Sequence, residues 1–369
     1  MADKTIKILS IDGGGIRGIV PAIILGELQK RIGKRMADVF DLIAGTSTGG
    51  IIALGIGTAC NNGAPYAPED LVKMYVDNGP AIFKKTFLTA ERELVLPKYS
   101  PDSLEETLER FFQKTCLRTA LTPLLISSYD LQSQLPFFFK SHMIAQRPNY
   151  DWEIVSIARC TSAAPTYFPP YHLTNGKEDY ALVDGGVFVN NPAMAAYAEA
   201  RYLYPEAKDF MVLSVGTGDR QDSITYATAK EWGLIGWAKQ IVSVLMDSVS
   251  EAVDFEMSAI LGANYTRLQV LHLQEAEADM DNVTPDNIAN LQSLAREYVA
   301  SATVSATLDR LAAALQEGRG SNMPGIGRPP AAGSGTPPPA PGPKSPTAAQ
   351  TATTKSAAPG KTKKQSSGR

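Results

Sequence analysis

This sequence contains few of the residues that build disulfide-stabilised folds and metal centres. Its 369 residues include only three cysteines and three histidines. Cys60, Cys116 and Cys160 lie far apart and form no Cys-x-x-Cys pair, so they indicate neither a disulfide framework nor a zinc site. Buried thiols are the simpler interpretation.

Long apolar runs are also missing. No stretch approaches the roughly 18 apolar residues that a membrane-spanning helix needs. The first residues, Met1-Ala2-Asp3-Lys4, lead into a strand-like stretch without the apolar segment of a signal peptide. We therefore expect a cytoplasmic protein.

The charges are distributed unevenly along the chain. The last acidic residue is Glu317, and eight of the 35 basic residues follow it, so residues 1–317 carry a net charge of -11 and residues 318–369 carry +8. An acidic body disfavours a nucleic-acid polymer as partner. Residues 318–369 are rich in Pro, Gly, Ala and Ser, which predicts a disordered basic tail that either solubilises the chain or contacts anionic lipid or nucleic acid.

Before this tail, short β-branched runs alternate with helical patterns. This alternation is typical of a mostly parallel sheet with crossover helices, an α/β fold over residues 1–317. Strands are predicted at residues 6–11, 40–44, 123–128, 136–140, 180–184, 210–215 and 265–273. Helices are predicted at residues 20–35, 48–57, 68–78, 103–114, 152–160, 192–204, 227–261 and 286–316.

A serine lies between the second predicted strand and the helix that follows. Gly45-Thr-Ser-Thr-Gly49 fits the pattern Gly-x-Ser-x-Gly. In a nucleophile elbow, this arrangement places the serine on a strained turn with its hydroxyl exposed at the carboxyl edge of the sheet, while the glycines permit the close turn. Ser47 is then a candidate nucleophile. The alternative is an ordinary glycine-rich turn.

A glycine loop, Asp12-Gly-Gly-Gly-Ile-Arg-Gly18, follows the first predicted strand. Consecutive backbone N–H groups in such a loop form an anion cradle. One interpretation is an oxyanion hole, in which the amides of Gly14 and Gly15 face the oxygen of a tetrahedral intermediate. Arg17 then anchors the loop, forms a structural salt bridge or approaches a lipid phosphate.

The other interpretation of this loop is a dinucleotide fingerprint, Gly13-x-Gly15-x-x-Gly18. That motif expects an acidic residue at the end of the second strand. Asp38 and Asp41 lie at about the expected distance, but they precede or begin that strand, which then leads into the serine turn. The oxyanion interpretation is therefore favoured.

A serine nucleophile needs a base, and histidine is the usual one. None of His142, His172 and His272 lies in a glycine-flanked loop at a predicted sheet edge. Asp184-Gly185-Gly186 does follow a predicted strand, although Asp-Gly is also a common turn dipeptide. A direct Ser-Asp dyad is therefore plausible, with Asp184 accepting the Ser47 proton.

Together, DGGGIRG, GTSTG and DGG in this order resemble the motifs of the patatin-like phospholipases, a family of Ser-Asp acyl hydrolases. The resemblance covers roughly residues 5–300. It implies Ser47 as nucleophile and Asp184 as general base. The residues that it places around the oxyanion hole are Gly13, Gly14 and Gly15, and those that support the motifs are Asp12, Arg17, Gly18, Gly45, Gly49, Gly185 and Gly186.

The same resemblance implies a three-layer α/β/α sandwich that needs no metal or cofactor. Its substrates would be membrane phospholipids, lysophospholipids or galactolipids, reached by peripheral association with the membrane. The implied reaction is hydrolysis of carboxylic esters through an acyl-enzyme.

The chain also resembles the patatin-like effectors of bacterial anti-phage systems. That resemblance implies activation by a cyclic dinucleotide such as 3',3'-cyclic GMP-AMP. No short motif here establishes nucleotide binding. A constitutive lysophospholipase or esterase, and a non-catalytic nucleotide-binding module in which Ser47 is only a turn residue, remain alternatives.

An enzyme of this kind needs exposed apolar groups near its nucleophile. Residues 81–88 combine Phe83, Phe87 and Leu88 with two lysines, and residues 232–246 place apolar side chains on much of one helix. Residues 166–170 are candidates for lining an acyl groove. Ordinary core packing is the alternative for all three segments.

Overall fold

The computed structural model describes residues 5–84, 96–219, 224–271, 273 and 279–316. Their strands form one sheet in the order β5-β6-β3-β2-β1-β7-β8, with β4 paired to β3. The strands are β1 (Ile6–Ile11), β2 (Leu42–Gly45), β3 (Leu124–Asp130), β4 (Leu135–Lys140), β5 (Tyr171–Thr174), β6 (Asp179–Asp184), β7 (Phe210–Val215) and β8 (Tyr265–Leu268).

The helices pack on both sides of this sheet. They are α1 (Ile19–Ile32), α2 (Met36–Val39), α3 (Thr48–Gly57), α4 (Pro68–Ile82), α5 (Asp102–Phe112), α6 (Ile154–Thr161), α7 (Gly186–Val189), α8 (Ala193–Leu203), α9 (Tyr226–Ala229), α10 (Leu234–Leu261), α11 (Pro285–Ala300) and α12 (Ala302–Gln316).

The central strand β1 shows why there are three layers. All six of its residues are buried, and successive side chains on a strand point to opposite faces. Leu9 and Ile11 belong to the apolar core formed with α1, α3, α4, α11 and α12. Ile6 and Ile8 belong to a second core with α8 and the carboxyl half of α10. The predicted α/β/α sandwich is confirmed.

The sheet is parallel at its centre and antiparallel at one end. β1 pairs in parallel with β2 and β7, and β3 pairs in parallel with β2. β3 is antiparallel to both β4 and β6. Because β4 covers one edge of β3 along residues 125–130, β2 and β6 must share the other edge.

Several predicted boundaries were wrong. The helix predicted at 227–261 is interrupted before Leu234, where Gly233 has extended backbone, and the helix predicted at 286–316 is interrupted at Ser301, also extended. The strand predicted at 265–273 ends at Leu268, and β5 was not predicted at all. Residues 318–369, for which a disordered tail is predicted, lie outside the described residues.

Candidate active site

Ser47 lies at a sharp turn between β2 and α3. Its φ of 55° and ψ of -125° are a conformation that non-glycine residues rarely adopt, at a cost of about 1–3 kcal/mol. A Cβ on Gly45 would lie 2.2 Å from the carbonyl oxygen of Gly49, and a Cβ on Gly49 would lie 2.2 Å from that of Ile11. Both positions therefore require glycine, as expected for a nucleophile elbow.

The shared edge of β3 brings Asp184 to this serine. β2 ends with Gly45 opposite Ile126, and β6 ends with Asp184 opposite Ser128. The two strands run toward each other along this edge, and their ends lie two residues apart in register. Ser47 and Asp184 therefore meet, although 137 residues separate them in the sequence.

The two side chains are in direct contact. The Ser47 hydroxyl donates a hydrogen bond to Asp184 Oδ2 at 2.5 Å, and the Gly186 N–H donates to Asp184 Oδ1 at 2.7 Å. Asp184 is fully buried, while 8% of Ser47 is exposed. Thr161 fixes the other side of the serine, because its Oγ1 accepts the Ser47 N–H at 2.9 Å.

The surroundings of Asp184 favour a base that titrates near neutral pH. Burial raises the pKa of this carboxyl to about 7, against the opposing effect of the hydrogen bonds from Ser47 and Gly186. A carboxylate with an ordinary pKa of 3.8 would be a weak proton acceptor at neutral pH. The raised value brings the pKa close to the working range of a general base.

This pKa predicts the pH dependence of any reaction that uses Asp184 as base. Only the ionised carboxylate accepts a proton, so we expect kcat/KM for a soluble short-chain ester to fall about tenfold per pH unit below pH 7 and to level off above it. The measurement is the rate at low substrate concentration between pH 5 and 9. An apparent pKa near 4 would contradict it.

Histidine substitutions are the control, because an unperturbed histidine titrates near pH 6.5. His142→Ala and His172→Ala should keep the same pH profile. In the structure, His142 lies beside Glu199 and His172 beside Asp179, and neither lies against Ser47. His272 lies outside the described residues.

The glycine loop contacts the serine turn. A Cβ on Gly13 would lie 3.1 Å from Ser47 Cβ, and Gly15 lines the same cavity as Ser47. The Gly13 N–H donates to the Asn190 carbonyl at 3.2 Å. Within the described residues, no backbone hydrogen bond outside the helices and strands uses the N–H of Gly14 or Gly15, so both stay candidate oxyanion donors. The Gly13 N–H would have to leave the Asn190 carbonyl to join them.

The other motif residues support this arrangement by packing. Arg17 is buried, and its guanidinium donates to the carbonyls of Gly14 and Gly218 at 3.4 and 3.3 Å, which makes it an anchor of the loop. A Cβ would lie 2.2 Å from Thr48 Oγ1 if placed on Gly18, and 2.2 Å from Ser127 Oγ if placed on Gly185. Both glycines permit close contact between neighbouring elements.

Sequence reasoning missed Arg267, which holds the start of the loop. Its guanidinium donates to Asp12 Oδ2 at 2.6 Å and to Ser214 Oγ at 2.7 Å. Burial raises the pKa of Asp12, and the charge of Arg267 opposes that effect. Since 255 residues separate the pair, no local motif could have revealed it.

An apolar cavity leads to Ser47 and Asp184. Its volume is about 60 Å³, and it lies among α3, α4, α5 and the segment that follows α6. Side chains that line it include Ile51, Phe83, Leu104, Leu108, Tyr167 and Phe168. Phe83 and residues 167–168 come from segments predicted to contact lipid, whereas Phe87 and Leu88 lie outside the described residues.

No metal centre or membrane span emerges from the part of the chain that the structure describes. It contains no group of three or more His, Cys, Asp or Glu side chains arranged to hold a metal ion. None of its helices is long and apolar enough to cross a membrane. Independence from metal stays a prediction.

Comparison with known proteins identifies the family. The family model described as patatin-like phospholipase matches residues 9–197. Patatin-like protein 2 of Arabidopsis thaliana is 34% identical over 347 residues, covering 82% of this chain and 85% of its own. Patatin group M-2 of Solanum tuberosum is 34% identical over 319 residues, covering 78% and 81%. This chain therefore belongs to the patatin-like phospholipases, a family of lipid acyl hydrolases.

Proposed function

We propose that the protein hydrolyses carboxylic esters of membrane phospholipids through an acyl-Ser47 intermediate, with Asp184 as the general base. The observation that supports this proposal most directly is the 2.5 Å contact between Ser47 Oγ and Asp184 Oδ2. This contact lies at an apolar cavity. A nucleophile held against its base beside an apolar cavity suits attack on an acyl ester.

In the first step, Ser47 Oγ attacks the ester carbonyl carbon as its proton moves to Asp184. The carbonyl oxygen becomes an oxyanion, which the N–H groups of Gly14 and Gly15 stabilise. One such donor typically contributes about 3–4 kcal/mol. The intermediate then collapses, the bond to the alcohol breaks, and Asp184 returns the proton to the departing lysophospholipid.

In the second step, water attacks the acyl-Ser47 carbonyl. Asp184 accepts a proton from this water, and the same amides hold the second oxyanion. When the intermediate collapses, the proton returns to Ser47 Oγ and the fatty acid leaves. The enzyme is regenerated with the proton arrangement in which it began.

The cavity indicates the class of acyl group. Ile51, Leu104 and Leu108 present hydrocarbon to it, and Phe83 and Phe168 add aromatic rings. A narrow apolar cavity suits an unbranched acyl chain better than a polar or bulky acid. The polar head group of the lipid would then stay outside this cavity.

Activation by a cyclic dinucleotide stays a prediction from the resemblance. The larger described cavity, about 570 Å³, is lined by the carboxylates of Asp219, Glu251, Asp254 and Glu297 and by one guanidinium, that of Arg267. Negative charge of this kind disfavours an anionic ligand. A nucleotide activator would need a different site.

The direct test is release of fatty acid and lysophospholipid from phosphatidylcholine vesicles by the purified full chain. It should be run with and without a panel of cyclic di- and trinucleotides. Release without any nucleotide would identify a constitutive hydrolase, and release only with one of them would identify a gated one. Absence of both products under every condition would overturn the proposed function.

A further inference from the structure

Helix α10 has apolar side chains on the face that points away from the protein. Met246, Val253 and Met257 are buried against the body of the protein. Trp237, Ile241 and Leu245, spaced by four residues, are 44%, 37% and 43% exposed. At 100° per residue these three lie roughly opposite the buried face, and we call them the docking stripe.

A helix packed on a globular core normally presents polar residues to solvent. Large apolar groups on the solvent side indicate a surface that binds something. The exposed Ile224 and Tyr226 precede this helix, and Trp232 packs edge-on against Trp237 with ring centroids 5.2 Å apart. Trp and Tyr are the residues enriched where proteins meet the head groups of a bilayer.

The helix that carries the docking stripe also borders the candidate active site. Leu245 is followed directly by Met246, which lines the same cavity as Ser47 and Asp184. A Cβ on Gly186, next to the Asp184 carboxylate, would lie 2.6 Å from Met246 Cε. A surface that covered the stripe would therefore contact the outer face of the helix whose inner face borders the cavity in which ester cleavage is proposed.

We propose that the docking stripe binds the surface of a zwitterionic phospholipid bilayer and thereby brings substrate acyl chains to the cavity. This inference rests on the proposed function, because it takes the bilayer to be the source of the substrate. Shallow insertion of Trp237, Ile241 and Leu245 buries apolar surface that otherwise remains in water.

The net negative charge around the docking stripe favours zwitterionic lipid over anionic lipid. Residues 230–266, which contain the stripe, include two lysines, Lys230 and Lys239, and five acidic residues, Glu231, Asp247, Glu251, Asp254 and Glu256. Residues 1–317 as a whole carry a net charge of -11. An anionic bilayer would repel this surface, so apolar insertion rather than charge attraction drives the binding.

The test compares the full chain with a triple variant, Trp237→Ser, Ile241→Ser and Leu245→Ser. We expect binding to phosphatidylcholine vesicles, measured by flotation, and fatty-acid release from them to fall about tenfold or more, because the apolar surface that inserts is lost. Hydrolysis of a soluble short-chain ester should stay unchanged. Ile260→Ser is the matched control, since Ile260 is an exposed apolar residue near the other end of the same helix.

The soluble ester separates the two proposals. If the wild type hydrolyses neither substrate, the proposed function fails. If the triple variant hydrolyses vesicles as well as the wild type does, the docking proposal fails alone. A wild-type dimer that the triple variant converts to a monomer, with vesicle binding unchanged, would show that a second copy covers the stripe instead.

Discussion

Ser47→Ala is expected to lower fatty-acid release from phosphatidylcholine vesicles by about 10⁴-fold or more. The substitution removes the oxygen that forms the acyl-enzyme, and no second nucleophile replaces it in the proposed mechanism. The hydrogen bond to Asp184 Oδ2 is lost with it. The measurement is the initial rate of release at equal protein concentration, and persistent release would refute Ser47 as the nucleophile.

Asp184→Asn is expected to lower the rate as much as Ser47→Ala does. It should also make the folded protein more stable at alkaline pH. The folded-state pKa of about 7 lies above the ordinary value of 3.8, so the folded protein retains a proton that the unfolded chain has released. Stability therefore falls as the pH rises from about 4 to about 7, by about 4 kcal/mol at 1.36 kcal/mol per unit. The uncharged amide introduced by Asp184→Asn does not ionise, so the variant does not lose this stability as the pH rises.

We therefore expect Asp184→Asn to raise the free energy of unfolding at pH 8 relative to the wild type and to change it little at pH 4. Urea unfolding at the two pH values measures this difference. An inactive variant that was also less stable at pH 8 would show that the carboxylate is needed for folding, and its loss of activity would then say nothing about a base.

Arg267→Met is expected to destabilise the fold by about 3–5 kcal/mol, because it leaves the buried carboxylate of Asp12 without its charged partner. Both side chains of the pair are largely buried, at 13% and 3% exposure. The change in free energy of unfolding at pH 7, measured in urea, tests this value. Because Asp12 begins the glycine loop, folded Arg267→Met should also show a lower kcat.

Two further variants serve as controls for the predicted effect of Arg267→Met. Arg35→Met removes an arginine from an exposed pair with Asp38 and should cost less than about 1 kcal/mol. The double variant Asp12→Asn with Arg267→Met should recover much of the lost stability, since no charge is then buried alone. If Arg267→Met cost no more than Arg35→Met, the buried pair would not matter for the fold.

The sequence was informative about the candidate site because its motif residues follow strands. The glycine loop and Ser47 come directly after β1 and β2, which are parallel, so both reach the same edge of the sheet. Asp184 instead ends β6, which is antiparallel to β3. The contact between Ser47 and Asp184 depends on register along β3, which no short pattern encodes. For the same reason, Arg267 could not be placed before β8 was known to lie beside β7.

The two main errors in the fold have different causes. Ser301 interrupts a continuous helical pattern that contains no Gly or Pro, and its hydroxyl donates a hydrogen bond to the Tyr298 carbonyl at 2.8 Å. β5 is a four-residue edge strand whose exposed residues carry little hydrophobic pattern. Short edge strands form because a neighbour offers free hydrogen-bonding groups, and that information lies elsewhere in the chain.

The shared edge of β3 also has a consequence during synthesis. A nascent chain on the ribosome contains Ser47, the proposed nucleophile, long before Asp184, its proposed base, because Asp184 follows Ser47 by 137 residues. Until β6 has been translated and has paired with β3, the serine lacks its proton acceptor. In the proposed mechanism, the incomplete chain is therefore inactive toward phospholipid.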